Sequence, residues 1–281
     1  MILLADSGAT KTDWCIANTS SGYTIIQTEG INPFHQPESH IRAIIENQLL
    51  PSLPCSTRDI QAIFFYGAGC IPSQKGSINN ALQNNFPQAT FSVESDLLGA
   101  ARALCKHREG IACILGTGSN SCLYDGERIV RNISPLGYIL GDEGSGAYLG
   151  KRFLGDCLKG LLPDRISNEM LDELQLTAAD ILEKVYRQPQ ANRFLAGIVP
   201  CIHKHKAIPE IHSFLTDCFS DFIRRNVLPY HASLPVSFTG SVAWFFQEEI
   251  KETLASLNLT TGIFVKNPIK ELVDYHLRIC R

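Results

Sequence analysis

The sequence contains no C-x-x-C pair, no apolar run approaching the roughly 18 residues of a membrane span, and no low-complexity segment or long linker. The first absence removes the usual thiol–metal and redox-thiol signatures. The second removes a transmembrane helix, and the third a disordered or collagen-like chain. Positive charge is not in surplus: 25 Lys and Arg stand against 28 Asp and Glu, for a net charge of -3 and a pI near 6.2. Nucleic acid therefore has no electrostatic reason to bind. The opening Met1-Ile2-Leu3-Leu4-Ala5-Asp6 lacks a basic segment and meets an aspartate too early for a signal peptide. A globular, cytoplasmic protein is the expectation, with neither membrane nor nucleic acid among its partners.

The composition that is present is ordinary, with 44% hydrophobic and 19% charged residues in 281. At about 150 residues per domain, that length favours two domains. Most of the ten cysteines lie inside apolar stretches such as Ile111-Ala112-Cys113-Ile114-Leu115, and read as buried free thiols of a reducing compartment. The one metal-like cluster is Cys201-x-His203-x-His205. It falls in a helical stretch where these offsets do not share a single face, so it reads as a polar helix edge.

Patterning divides the chain into two similar openings. Ile2–Asp6, Asp13–Ala17 and Thr24–Thr28 are β-type runs, with a turn-like Ser20-Ser21-Gly22 before the third. A helix over about 38–50, strands Ala62–Tyr66 and Thr90–Glu94, and a helix over about 96–107 follow. At Ile111 the opening pattern begins again: apolar Ile111–Leu115, a Gly-rich turn, Ser121–Tyr124, the hairpin signal Asp125-Gly126, then Glu127–Asn132. Two copies fit a duplicated, two-lobed α/β protein. Beyond residue 144 helical spacing dominates, with a capping box at Thr177-Ala178-Ala179-Asp180, a strand Pro235–Phe238, and a closing helix after Pro268.

Five segments carry chemistry. Asp6-Ser7-Gly8-Ala9-Thr10-Lys11-Thr12-Asp13 lies between two β-runs, where small residues admit an anion and N–H and Thr hydroxyl groups can donate to phosphate oxygens. Asp6, at a strand end, is placed to hold hydrated Mg²⁺. Gly116-Thr117-Gly118-Ser119-Asn120 is the same device in the second half, and facing loops could grip both ends of a triphosphate. Phe238-Thr239-Gly240-Ser241 takes a strand into a helix, where Gly leaves room for a flat base. Ser95-Asp96 opens a helix: Asp96 is either its cap or a base that takes a proton from an attacking hydroxyl. Gly141-Asp142-Glu143-Gly144-Ser145-Gly146 sets two carboxylates among glycines just before a long helix.

In this order the segments resemble those of the actin/hexokinase/Hsp70 ATPase superfamily. More narrowly, the chain resembles the BadF/BadG/BcrA/BcrD ATPase family on its N-acetylglucosamine kinase-like branch. Asp6–Thr12, Gly30-Ile31-Asn32-Pro33, Ser95-Asp96, Gly116–Ser119, Leu140–Ser145 and Asn267-Pro268-Ile269 carry the likeness, over nearly the whole chain. The resemblance implies two ribonuclease-H-like lobes around a central cleft: 1–109 with a helix of about 268–281 returning to it, and 110–267. It implies a kinase using ATP and Mg²⁺ on a small-molecule sugar, first of all N-acetylglucosamine, and it allows a homodimer. Asp96 would be the base and Asp6 the Mg²⁺ organiser. Gly8, Thr10, Lys11, Thr12 and Gly116–Ser119 would hold phosphates, and Gly240 with Ser241 the adenosine. Asn32, Thr117, Asp142 and Asp96 would meet the sugar, beside Leu136 and Gly137.

Two departures stand out. Ser7 and Ala9 replace glycines usual in the first loop. Pro135-Leu136-Gly137-Tyr138 replaces a Gly-Trp-Gly run, which alters the wall expected to meet the sugar's substituent. Two rivals share the motifs. One is an ATPase activator carrying an iron–sulfur cluster on exposed cysteines, and the other a non-catalytic nucleotide or sugar sensor.

Overall fold

The computed structural model describes residues 1–8, 10–18 and 22–279; Ala9, residues 19–21, Cys280 and Arg281 lie outside the described residues, and with them most of the expected Ser20-Ser21-Gly22 turn and the tenth cysteine. The chain divides into two compact units. One takes Met1–Arg108, Gly126–Arg128 and Asn267–Arg281; the other takes Glu109–Asp125 and Ile129–Lys266.

The first unit is built on strands β1 (Ile2–Ser7), β2 (Lys11–Ala17), β3 (Tyr23–Glu29), β4 (Ala62–Gly67) and β5 (Thr90–Ser95), in the order β3-β2-β1-β4-β5. β1–β2 and β2–β3 pair antiparallel, whereas β1–β4 and β4–β5 pair parallel. Alternation along the strands sends Leu3, Ala5, Trp14 and Ile16 to one face and Leu4, Cys15 and Ala17 to the other. The first face is covered by helices Glu38–Ile44 and Lys75–Asn85, which bury Ile41, Ile44, Ile78 and Leu82. The opposite face receives Ala103 of the helix Asp96–Cys105, and Ile269, Leu272 and Val273 of the closing helix Ile269–Ile279. Burying three such side chains contributes roughly 5–8 kcal/mol of transfer free energy. The closing helix is further tied to the end of the helix Asp96–Cys105 by Lys106 to Glu271 at 2.6 Å, and to the sheet by the Tyr66 hydroxyl to His276 at 2.8 Å.

The second unit repeats the plan with β6 (Gly110–Leu115), β7 (Ser119–Tyr124), β8 (Ile129–Ile133), β9 (Val236–Thr239) and β10 (Thr261–Val265). Their order, β10-β9-β6-β7-β8, has the same mixture of antiparallel and parallel pairs. Between β8 and β9 the chain is helical, and Ala147, Phe153, Phe219 and Phe222 from those helices join Ile111, Cys113 and Leu115 in one core. The capping box forms as expected, Thr177 and Asp180 each bonding the other's backbone N–H. No helix among the described residues is long and apolar enough to cross a membrane. Nine cysteines are free thiols, eight of them buried.

Candidate active site

In the first unit the carboxyl ends of the parallel strands bring two carboxylates together. Asp6 lies near the end of β1, opposite Asp13 on β2 and beside Tyr66 on β4. β5 ends at Ser95, whose extended backbone and hydroxyl, accepting from the Leu98 N–H at 3.2 Å, cap the following helix. Capping therefore falls to Ser95, and Asp96 begins the helix with Oδ1 accepting the Leu97 N–H at 2.8 Å. Burial pushes the Asp96 carboxyl up, against the opposing pull of that N–H. Asp6 is pushed up to about 7, first by burial and then by the negative charges of Asp96 and Asp13, with Lys11 opposing.

The sign of the Asp6 shift gives a testable consequence. A carboxyl whose pKa is raised from 3.8 to about 7 in the fold stabilises the protein as the neutral acid. That contribution is complete below its unfolded value and is lost as pH rises through about 7. Asp6→Asn is therefore expected to be more stable than the wild type at pH 8, with the difference closing towards pH 4. Urea denaturation across that range measures it, and an Asn variant less stable at pH 8 would contradict the burial argument.

The first loop differs from expectation in one respect. Thr12 is fully buried, and its hydroxyl bridges the Ser7 hydroxyl at 2.6 Å and the Glu29 carbonyl at 3.1 Å rather than facing a ligand. Ser7 in turn donates to the Ile31 carbonyl and accepts from the Ile31 N–H, both at 2.9 Å. These hydroxyls pin the Gly30-Ile31 segment to the hairpin. Thr12→Val should cost about 1–3 kcal/mol of stability, the scale for orphaned buried partners, while leaving nucleotide affinity within ~2-fold. Paired denaturation and titration decide: lost affinity at full stability would return Thr12 to the phosphates.

Gly8 closes the hairpin through its N–H to the Lys11 carbonyl at 3.0 Å, and Thr10 is exposed, its carbonyl accepting from Gly30. The Lys11 ammonium sits on Asp13 at 3.0 Å. Asp13 was not singled out by sequence reasoning, yet its buried carboxylate also accepts from Gln27 at 2.7 Å and Asn267 at 2.6 Å. Asn32 lies against Gly69, where a Cβ would fall 2.1 Å from its Oδ1, and that oxygen accepts the Phe34 N–H. Its Nδ2 has no acceptor among the described residues and remains available to a ligand.

In the second unit the Gly116–Ser119 loop is braced from the helix Gly146–Leu158, whose Gly146 and Ala147 N–H groups donate to the Gly116 and Thr117 carbonyls at 2.8 and 3.1 Å. The Gly116 N–H is taken by the Gly118 carbonyl. Those of Thr117 and Gly118 have no acceptor among the described residues, an arrangement suited to an anion. Asp142, at φ 54°, accepts the Ser119 N–H, and its own N–H donates to Pro135 at 2.8 Å. Burial pushes it up to about 6, with Glu143 adding to the rise and the Ser119 N–H opposing it. Leu136 and Gly137 lie in the same closed turn, Leu136 left-handed and 61% exposed.

Gly240 is needed for a reason the sequence did not disclose. At φ 108° a Cβ would stand 2.3 Å from the Leu115 carbonyl oxygen, so the glycine serves close packing against β6 rather than room for a base. Ser241, Gly116 and Thr117 line one cavity of about 360 Å³. Val199, Pro200, His203 and Phe245 line it too.

The Cys201-x-His203-x-His205 cluster separates accordingly. His203 faces this cavity, whereas the ligand atoms of Cys201 and His205 come together with Glu173, all within 4.8 Å of one another. The Lys204 ammonium already lies 2.9 Å from that Glu173 carboxylate, on the oxygen that meets His205.

No family model matches the chain, and no curated protein matches it. Among solved structures, a candidate N-acetylglucosamine kinase from Porphyromonas gingivalis is 48% identical, with 100% of each chain covered and a TM-score of 0.96. A second candidate N-acetylglucosamine kinase, from Chromobacterium violaceum, is 18% identical over 98% of this chain and 99% of its own, at 0.72. A ROK family glucokinase from Streptomyces griseus, solved with glucose and AMPPNP, is 13% identical over 97% of each, at 0.55. The last two likenesses are of fold alone, the two-lobed actin-like ATPase architecture.

Proposed function

The chain belongs to the N-acetylglucosamine kinase-like branch of the BadF/BadG/BcrA/BcrD ATPase family, and on that footing we propose that it transfers the γ-phosphoryl group of ATP to a hydroxyl of an amino sugar, N-acetylglucosamine being the first candidate. The observation that carries this reading is Asp96, a carboxylate beside Asp6 at the end of a parallel strand, relieved of capping by Ser95 and raised in pKa by burial. Such a group suits accepting the proton of a sugar hydroxyl as its oxygen bonds phosphorus.

Mg²⁺ fits the Asp6 corner, because carboxylate oxygens are its preferred ligands and the charges of Asp13 and Asp96 add a field that a cation relieves. When bound it would neutralise charge on the β- and γ-phosphates. Gly8, Thr10, Lys11 and the Thr117 and Gly118 N–H groups are assigned to phosphate, and Ser241, held in place by the close packing of Gly240 on β6, to adenosine. Asn32, Thr117 and Asp142 are assigned to the sugar, with Leu136 and Gly137 bordering Asp142. The free, buried thiols suit a cytoplasmic setting. They disfavour an iron–sulfur activator, since Cys15, Cys70 and Cys113 are buried in three separate cores.

ADP release across hexoses, N-acetylhexosamines and N-acetylmuramic acid tests the assignment. N-acetylglucosamine should give the highest kcat/KM, with glucose lower by ~10–200-fold, the range for a pocket that admits a substituent through apolar contact. Absence of sugar-dependent ADP release with every sugar would overturn it.

A further inference from the structure

His203 has no part in the scheme above, yet it occupies the wall of the second unit's cavity. Its ring is held edge-on by Phe245 at 5.3 Å and Phe246 at 5.4 Å. Phe246 is fully buried and fixes the imidazole, while Phe245 is 44% exposed. Among the described residues neither ring nitrogen of His203 has a hydrogen-bond or ionic partner, in contrast to His205, whose Nε2 is 2.9 Å from Glu173. The same cavity is lined by Gly116 and Thr117, and the N–H of Thr117 is one of the two left unpaired in that loop. Ala196, Val199, Pro200 and Val242 line it as well, with the Ser241 hydroxyl, and among the lining residues there is no carboxylate or amide side chain.

A cavity that joins an anion-binding loop, apolar side chains and an imidazole suits a nucleoside phosphate with its base among the apolar side chains. We infer that His203 reads the base of the phosphoryl donor by donating a ring N–H to purine N7, and that this contact makes the enzyme select purine over pyrimidine nucleotides while barely separating adenine from guanine. This rests on the kinase reading and deepens it. N7 is an acceptor in both purines and is absent from pyrimidines. Beyond the imidazole the polar side chains of the wall are the Thr117 and Ser241 hydroxyls, which can donate or accept and so do not reject guanine.

Calorimetric titration with the non-hydrolysable analogues of ATP and GTP, and with 7-deaza-ATP, tests this on wild type, His203→Ala and His203→Gln, alongside initial rates. ATP and GTP should differ by less than ~10-fold in kcat/KM, and 7-deaza-ATP should bind wild type about 5–10-fold more weakly than ATP, the scale of one hydrogen bond. In His203→Ala the two should bind alike, with KM for ATP raised by a similar factor and kcat unchanged. His203→Gln, which keeps a donor, should recover much of the difference. Equal binding of ATP and 7-deaza-ATP by wild type, or an equal penalty from His203→Ala on both, would overturn the inference and leave the kinase reading intact. If wild type neither binds nor turns over any nucleotide, the kinase reading fails and the inference with it.

Discussion

Asp96→Asn is expected to bind ATP as the wild type does and to transfer phosphoryl to sugar at least ~10²-fold more slowly, the usual scale for a general base. The amide keeps the shape of the carboxylate and its acceptor for the Leu97 N–H, but cannot take a proton. Because Ser95 caps the helix, the loss of activity should come without loss of stability. Replacing a carboxylate whose charged form is disfavoured by burial should even stabilise the fold at any pH where the wild-type group is ionised. Sugar-dependent ADP release and thermal unfolding of the same preparation separate the roles. Near-normal turnover would remove Asp96 from the chemistry, and a parallel fall in activity and Tm would make its role structural.

The second large effect is expected at Gly240. An alanine there must adopt φ 108° and place its Cβ 2.3 Å from the Leu115 oxygen, with the Gly116 nitrogen 3.4 Å away. Strain of that kind costs about 1–3 kcal/mol, and relief is available only by moving β9 away from the second phosphate loop. Gly240→Ala should therefore lower stability and weaken nucleotide binding together, by ~10-fold or more in affinity for a displacement costing 1.4 kcal/mol. Gly116→Ala provides the contrast, since a Cβ there meets nothing within 4 Å. It should fold normally and lose affinity only through crowding of the phosphate. If both variants unfold at the wild-type urea midpoint, close packing is not what Gly240 provides.

Much of this molecule was legible in its sequence where a strand carries a continuous apolar run, as Ile2–Ala5, Ala62–Tyr66 and Ile111–Leu115 do. β1, β4 and β6 could be read almost to the residue. β10 could not: Thr261–Val265 is short, half-exposed and contains Gly262, whose missing Cβ admits the Ser237 hydroxyl. The helix Lys75–Asn85 buries only Ile78, Ala81 and Leu82, too few to mark a periodic face. Phe194, Leu195, Ile198, Val199 and Ile202 have helical spacing, but they fall on two helices, Ala191–Ala196 and Val199–Lys204, the second with Pro200 in its first turn. In the candidate site, residue types identified the loops but not the partners of each group. Thr12 looks like a phosphate donor until Ser7 and Glu29 are brought to it, and Asp96 looks like a cap until Ser95 takes that place. His203 acquires meaning only beside Phe245 and Phe246, some forty residues away in sequence.

The first unit is discontinuous, and this fixes an order of events on the ribosome. The apolar surface formed by Leu4, Cys15 and Tyr66 of the sheet with Ala103 of the helix Asp96–Cys105 is closed by Ile269, Leu272 and Val273, which are synthesised after the whole of residues 129–266. At ~5–20 residues per second, that surface waits roughly 10–30 s for its cover. The second unit is contiguous apart from one hairpin tip, so it can complete its own core while the first still exposes an apolar surface. Asn267, whose side chain accepts the Ile269 N–H and donates to Asp13, then marks the residue at which the returning chain locks onto the nascent sheet.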